Sequence, residues 1–150
     1  MKARDIMTAD PGVITQRELV SRAAEIMRDL DVGIVPVVDD PSSMRLLGVI
    51  TDRDIAVRCV AKRHGPSCTV AEHMTSTHLD TVRPDDDIDA VISLMERDQV
   101  RRIPVVSDDN RLAGVIAQAD LATKVGPKDP KKIEEVLERV SARHGTTNIG

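Results

Sequence analysis

The sequence predicts an α/β fold of two pseudosymmetric β-α-β-β-α repeats, closed by an amphipathic helix at the C-terminal end. Three observations predict it. Gly48-Val49-Ile50-Thr51-Asp52-Arg53-Asp54-Ile55 runs from an apolar strand straight into a helix, and Gly114-Val115-Ile116-Ala117-Gln118-Ala119-Asp120-Leu121 is a weaker copy. Ile34-Val35-Pro36-Val37-Val38 is matched by Arg102-Ile103-Pro104-Val105-Val106, proline on proline. Each repeat is preceded by a segment ending in Met-Thr, at Met7-Thr8 and at Met74-Thr75. Repetition of several features in one order is the mark of internal duplication. It predicts two strand–helix junctions facing each other across a cleft. The expected divisions are residues 1–67 for the first repeat with its lead-in, 68–126 for the second, and 127–150 for a tail helix and frayed end.

The elements follow in order. Pro11-Gly12 turns the chain and Val13-Ile14 opens a short strand. Thr15-Gln16-Arg17-Glu18 has the form of a capping box. The helix behind it places Leu19, Ala23, Ile26, Met27 and Leu30 on one face, at spacings of three and four. Ile34–Val38 is a buried strand, and Pro36 suggests an edge or bulged position. Leu46–Ile50 is its hairpin partner across the Asp39–Ser43 turn. A helix from Asp52 to about Arg63 turns Ile55, Cys59 and Val60 inward, and Gly65-Pro66 stops it. In the second repeat Leu79–Val82 is a short strand. Asp85-Asp86-Asp87 then opens a helix whose dipole those acids complement. Ile88, Val91, Ile92 and Met95 form its inward face. After Gly126-Pro127, a helix from Pro130 to about His144 carries Ile133, Val136, Leu137 and Val140 on one face, suited to packing back on the domain or meeting a partner.

Composition narrows the function. Hydrophobic residues are 41% of the 150, enough for a core, yet there is no Phe, Tyr or Trp. The core is therefore aliphatic, and a bound ring has no aromatic side chain to stack on. A net charge of −4 argues against a nucleic-acid binder, which normally shows a basic face. No apolar run approaches the roughly 20 residues of a membrane helix. Met1–Thr8 lacks the apolar stretch of a signal peptide. Cys59 and Cys68 alone make no disulfide framework. These features together suit the cytoplasm. No nucleophile elbow, Walker loop or Rossmann glycine set is present, so nothing points to an enzyme.

With both junctions, both Pro-Val-Val strands and both Met-Thr lead-ins in view, the chain resembles a tandem pair of CBS domains, a Bateman module. Over roughly residues 1–126 it is similar to the small stand-alone CBS-pair proteins of bacteria. The resemblance implies two three-stranded sheets packed together and two equivalent clefts. Such clefts often hold AMP, ADP, ATP, NAD or S-adenosylmethionine, as a ligand rather than a required cofactor. It also implies a homodimer.

Thr51 and Asp54 carry two readings. Thr-x-x-Asp is close to a helix cap, worth about 1 kcal/mol. The resemblance instead makes Asp54 the acceptor for a ribose diol and Thr51 a sugar or phosphate contact. Asp120 keeps the acid in the second repeat, but Ala117 stands where the hydroxyl would be. One competent cleft and one weak or empty cleft are therefore expected. Arg101 and Arg102, which precede the second Pro-Val-Val strand, and Arg53 are phosphate candidates; each also reads as an ordinary surface charge. Val13, Ile34 and Pro36 are candidates to line a purine pocket, and core residues first. Cys68, His73 and His78 are regularly spaced, but no further ligand pair completes them, so no metal site is expected.

The leading expectation is a regulatory module that senses an adenine nucleotide between the repeats and signals through a dimer surface or an unknown protein target. The alternative is a structural dimer with empty clefts.

Overall fold

The computed structural model describes residues 1–147, with the side chains of residues 1–139. The side chain of Val140, and residues 148–150 of the expected frayed end, lie outside those described. Two compact units make up the chain, and they do not follow the sequence repeats. Asp10–Leu79 and Asp108–Leu112 form one, here the Asp54 unit; Met1–Ala9, Asp80–Ser107 and the chain from Ala113 onward form the other, the Asp120 unit. Each Met-Thr lead-in thus packs with the strands of the opposite repeat.

The Asp54 unit contains β2 (Ile14–Thr15), α2 (Val20–Leu30), β3 (Ile34–Val38), β4 (Leu46–Thr51), a π-helix (Asp54–Val60) and α3 (Val70–His73). Its sheet runs β2-β3-β4, with β2 parallel and β4 antiparallel to β3. Ile14, Val20, Ala23, Ile26, Val35, Val37, Ile50, Cys59 and Val70 fill its core.

Pro36 is not at an edge, because β3 is the central strand and is buried throughout; the other half of the expectation comes close, since the β3–β4 register shifts one residue on, between Val37 and Val38. Its opposite number, Val49, turns both backbone groups away from β3 to pair with Thr75 (2.9 and 2.7 Å). No ladder bond is asked of residue 36 on that side. On the other side β2 reaches only Val37 and Val38. The missing N–H of proline therefore costs no ladder bond.

Three further expectations are corrected. Helix α2 begins at Val20, so Thr15–Glu18 is a turn ahead of it. The Glu18 carboxylate does accept the Thr15 N–H (2.8 Å), but the Thr15 hydroxyl also points at that carboxylate rather than accepting the Glu18 N–H. With that start, Val20, Ala23 and Ile26 face inward, Met27 is partly buried, and Leu19 and Leu30 are exposed. The expected helix after Asp52 has π geometry in its body, closed by bonds to the fifth residue back: Ala61 N–H to the Ala56 carbonyl and His64 N–H to the Cys59 carbonyl, both 2.9 Å. The wider turn brings Asp54 and Cys59 onto one buried face. Val60 is left 64% exposed, against the inward position expected.

The Asp120 unit contains α1 (Ala3–Ile6), β1 (Thr8–Ala9), α4 (Ile88–Asp98), β5 (Arg102–Val106), β6 (Leu112–Ala117) beyond its first residue, α5 (Gln118–Lys124) and α6 (Pro130–Thr147). Its sheet runs β1-β6-β5. The third strand is therefore the lead-in and not Leu79–Val82. Val82 makes only a one-residue parallel bridge to Val105. Its neighbour Arg83 gives its N–H to the Asp86 carboxylate (2.8 Å) instead of continuing a ladder, and Pro84 has none to give. Ile88, Val91, Ile92 and Met95 of α4 are all buried, as their spacing predicts. Ile133 and Val136 of α6 join the same core, with Leu137 packed against it. The tail helix thus folds back on this unit. None of the described helices is long and apolar enough to cross a membrane.

Candidate functional site

The site is built at the end of β4. Strand geometry carries the chain to Thr51, and the Gly33 carbonyl accepts the Asp52 N–H (3.0 Å), holding the turn into the helix. The Thr51 N–H donates to Asp54 Oδ2 and the Asp54 N–H donates to Thr51 Oγ1, each at 3.0 Å. This is a complete reciprocal cap. The carboxylate it holds is buried.

Two more groups reach that carboxylate. The Thr75 hydroxyl donates to it at 3.2 Å from each oxygen. Arg58 Nε lies 3.6 Å from Oδ1, one turn along the π-helix. Thr75 arrives because its backbone pairs with Val49 across Gly48. A Cβ on Gly48 would stand 2.4 Å from the Thr75 carbonyl oxygen and 2.6 Å from Met74 Cε. The glycine that opens the Gly-Val-Ile strand is thus what lets the second Met-Thr segment lie against it.

The arrangement is a preorganised acceptor. A carboxylate has about four lone-pair positions, and the inner ones here are taken by Thr51, Thr75 and the nearby guanidinium. The Thr51 hydroxyl, while accepting from Asp54, keeps its own proton to donate. A π-helical turn beginning at Asp54 fits the frequent occurrence of such turns at functional sites.

The second junction is poorer. The Ala117 N–H donates to Asp120 Oδ2 (2.7 Å), but Ala117 returns nothing. Asp120 is half-buried, with Lys124 Nζ 3.8 Å from Oδ1. Thr8, the counterpart of Thr75, is exposed. The Arg101 carbonyl accepts the Gln118 N–H (2.9 Å), as Gly33 does for Asp52.

Among the sequence candidates, Thr51 and Asp54 come together. Ile34 and Pro36 are buried in β3 of the same unit, Ile34 opposite Thr51 in the ladder. Val13 is half-buried just ahead of β2, and Arg53 is exposed. Arg101, exposed, and Arg102, half-buried at the start of β5, belong to the other unit with Asp120. Sequence reading missed Thr75 and Arg58 as partners of Asp54. The Met-Thr echo was a usable signal for Thr75; Arg58 carried none.

A second constellation lies in the same unit. His64, Cys68 and His73 bring their ligand atoms within 4.8 Å of one another. The sequence grouped Cys68 and His73 with His78, but His78 is outside this cluster, exposed and in the left-handed region at φ 54°. Desolvation and the Glu72 carboxylate push the Cys68 thiol above its ordinary value. Both cysteines are free, Cys59 buried.

The CBS domain family model matches residues 3–60 and again residues 70–126. The chain belongs to the CBS-domain family. As a CBS pair it is similar to Hypoxic response protein 1 of Mycobacterium tuberculosis, at 36% identity over 120 residues, which is 80% of this chain and 82% of that protein. The solved structure of Hypoxic Response Protein I with two coordinated zinc ions matches with a TM-score of 0.73 and 35% identity, over 83% of this chain and 98% of that one. The CBS pair of protein MJ0100, in complex with 5-methylthioadenosine and S-adenosyl-L-methionine, matches at 0.75 and 27% identity, over 86% and 98% of the two chains. CBSX2 in complex with AMP matches at 0.70 and 26%, over 83% and 95%. CBS pairs are generally regulatory rather than catalytic modules.

Proposed function

We propose that this CBS pair is a cytoplasmic sensor of an adenosine-containing ligand, which it takes at the Thr51–Asp54 junction and reports through dimer or partner-protein contacts. The observation that carries this reading is the Asp54 carboxylate, buried yet held at a helix start by the Thr51 amide and the Thr75 hydroxyl. Asp54 would accept the two ribose hydroxyls in charge-assisted bonds, and the Thr51 hydroxyl would donate to the sugar or phosphate. Arg58 and Arg53, on the first turns of the helix, supply positive charge for a phosphate. That similar CBS pairs hold AMP, 5-methylthioadenosine and S-adenosyl-L-methionine supports the ligand class.

Calorimetric titration with AMP, ATP, NAD and S-adenosylmethionine tests it. Asp54→Asn turns charge-assisted bonds of roughly 1.5–3 kcal/mol into weaker neutral ones. Affinity should fall by about tenfold or more, since ~1.4 kcal/mol is one decade. Asp120→Asn should change it much less. In the same variant the amide oxygen can stay on the Thr51 N–H and the NH2 can donate to the Thr75 hydroxyl, so any stability lost is that of charge-assisted bonds made neutral, and titrations belong well below the melting temperature. Thr75→Val is the companion variant: it keeps the carboxylate but frees it to turn. Unchanged affinity in Asp54→Asn ends the ribose assignment, and a wild type that binds none of the four ligands returns the chain to a structural role.

The assembly in this proposal is a homodimer. Leu19, Leu30, Val32, Val57 and Val60, all in the Asp54 unit, are large apolar side chains left exposed, and apolar surface of that kind favours association. Light scattering at micromolar concentration should give twice the 16.4 kDa chain mass; a strictly monomeric mass overturns this part.

A further inference from the structure

We infer that His64, Cys68 and His73 form a binding site for one zinc-class divalent cation, with His64 Nδ1, Cys68 Sγ and His73 Nε2 as its protein ligands. The nucleotide reading is not needed for it. His64 Nδ1 and His73 Nε2 are 3.4 Å apart. Two nitrogens bound tetrahedrally at about 2.0–2.1 Å from one zinc ion are separated by about 3.3 Å, and a nitrogen and a thiolate sulfur by about 3.6 Å. The nitrogen pair already has that spacing. All three ligand atoms lie within 4.8 Å of one another, so the sulfur closes by a side-chain rotation of half-buried Cys68. Two imidazoles and one thiolate are a ligand set that suits zinc, and three protein ligands leave a fourth position for water.

The surroundings fit a built site. His73 is 4% exposed at the end of α3, and its ring faces His64 with centroids 5.1 Å apart and planes 46° apart, which is not a stack. The loop carrying His64 is pinned from beneath. The Cys59 thiol donates to the His64 and Gly65 carbonyls (3.5 and 3.7 Å), the His64 N–H bonds the Cys59 carbonyl, and Arg63 takes a left-handed conformation at φ 61°. Cys68 follows in a turn closed by its N–H on the Gly65 carbonyl (3.2 Å). The Glu72 carboxylate, held by the Thr69 hydroxyl (3.2 Å), lies against the Cys68 thiol, which cation binding would draw away from it. When the cation binds, the Cys68 S–H bond breaks, the sulfur–metal bond forms, and the proton leaves to solvent. The cation would tie the end of the π-helix to α3, two residues before Thr75.

The test uses the full chain without an affinity tag, reduced, stripped with chelator and titrated with zinc by calorimetry and with cobalt(II) by visible spectroscopy. The expected result is saturation at about one equivalent per chain, with a sulfur-to-cobalt charge-transfer band and the strong d–d bands of four-coordinate cobalt. Cys68→Ser should abolish the charge-transfer band. It and His64→Ala should each weaken zinc by more than the roughly 10–100-fold that a supporting neighbour of a ligand is worth. Both positions are at or near the surface, so these variants stay folded by circular dichroism where a change at buried His73 risks unfolding. His78→Ala should bind as the wild type does. Absence of saturable zinc binding at micromolar metal, or unchanged binding in both folded variants, overturns the site and leaves a plain hydrogen bond between the two histidines.

Discussion

Gly48→Ala should melt roughly 4–16 °C below the wild type, at 2–4 °C per kcal/mol for a chain of this size. The added methyl would stand 2.4 Å from a backbone oxygen, that of Thr75, and 3.2 Å from Ser76 Cα, not only against the flexible end of Met74. A side chain rotates out of the way; a backbone pair does not. Either the Val49–Thr75 bonds stretch or β4 bends, and overpacking of this kind costs about 1–3 kcal/mol, with a further ~1 kcal/mol for a weakened hydrogen bond. The change also draws the Thr75 hydroxyl off Asp54, so affinity for the proposed adenosine-containing ligand should fall together with stability. Gly114→Ala is the internal comparison. Its methyl would meet the Thr8 carbonyl at 2.7 Å and the side chain of Met7 at 2.8 Å. It should destabilise less than Gly48→Ala and leave binding at the Asp54 junction alone. Thermal unfolding with titration of both variants checks this; a Gly48→Ala protein as stable as wild type would refute the close-approach account.

Ile133→Ala should cost about 3 kcal/mol, within the range of about 2–5 for truncating a buried aliphatic to alanine, or roughly 6–12 °C. Ile133 is 5% exposed in the Asp120 unit's core, one turn before Val136 at 2%. The ion pairs from α6 to α4, Lys132 to Asp89 and Arg139 to Glu96, each keep one partner well exposed to solvent and are worth little by themselves. The helix is therefore held by its apolar stripe. Glu134→Ala, on the exposed face, should stay within about 0.5 kcal/mol of wild type. Deleting residues 128–150 should lower the melting temperature as well. If Ile133→Ala and Glu134→Ala melt alike, the tail is not part of the core.

What was legible in the sequence was what local periodicity encodes. Spacings of three and four placed Ile88, Val91, Ile92 and Met95 inward, and the same spacing found Ile133 and Val136. Duplicated Pro-Val-Val strands and strand–helix junctions revealed the paired repeat and led to Thr51 and Asp54. Where periodicity was read with the wrong start or pitch it misled. Leu19 fits an α-helix begun at Thr15, but the helix begins at Val20 and leaves it outside; Leu30 keeps the inward register but is the last residue of the helix, 53% exposed; Val60 fits an α-helical turn, but the turn there is π.

Only the tertiary structure decided which distant segments meet. The Met-Thr echo singles out Thr75 but does not say what it meets; Thr75 reaches Asp54 because Gly48 admits its backbone, a contact between residues 21 apart. The same holds for the lead-ins, which pair with the strand beside them in space rather than the repeat they precede in the chain. It holds too for the histidines. Spacing grouped Cys68 with His73 and His78, while the five-residue bonds that end the π-helix bring His64 to His73 instead. Periodicity is set by each residue and its near neighbours along the chain. A meeting across the fold depends on the path of everything between, and that path exists only once the core has packed.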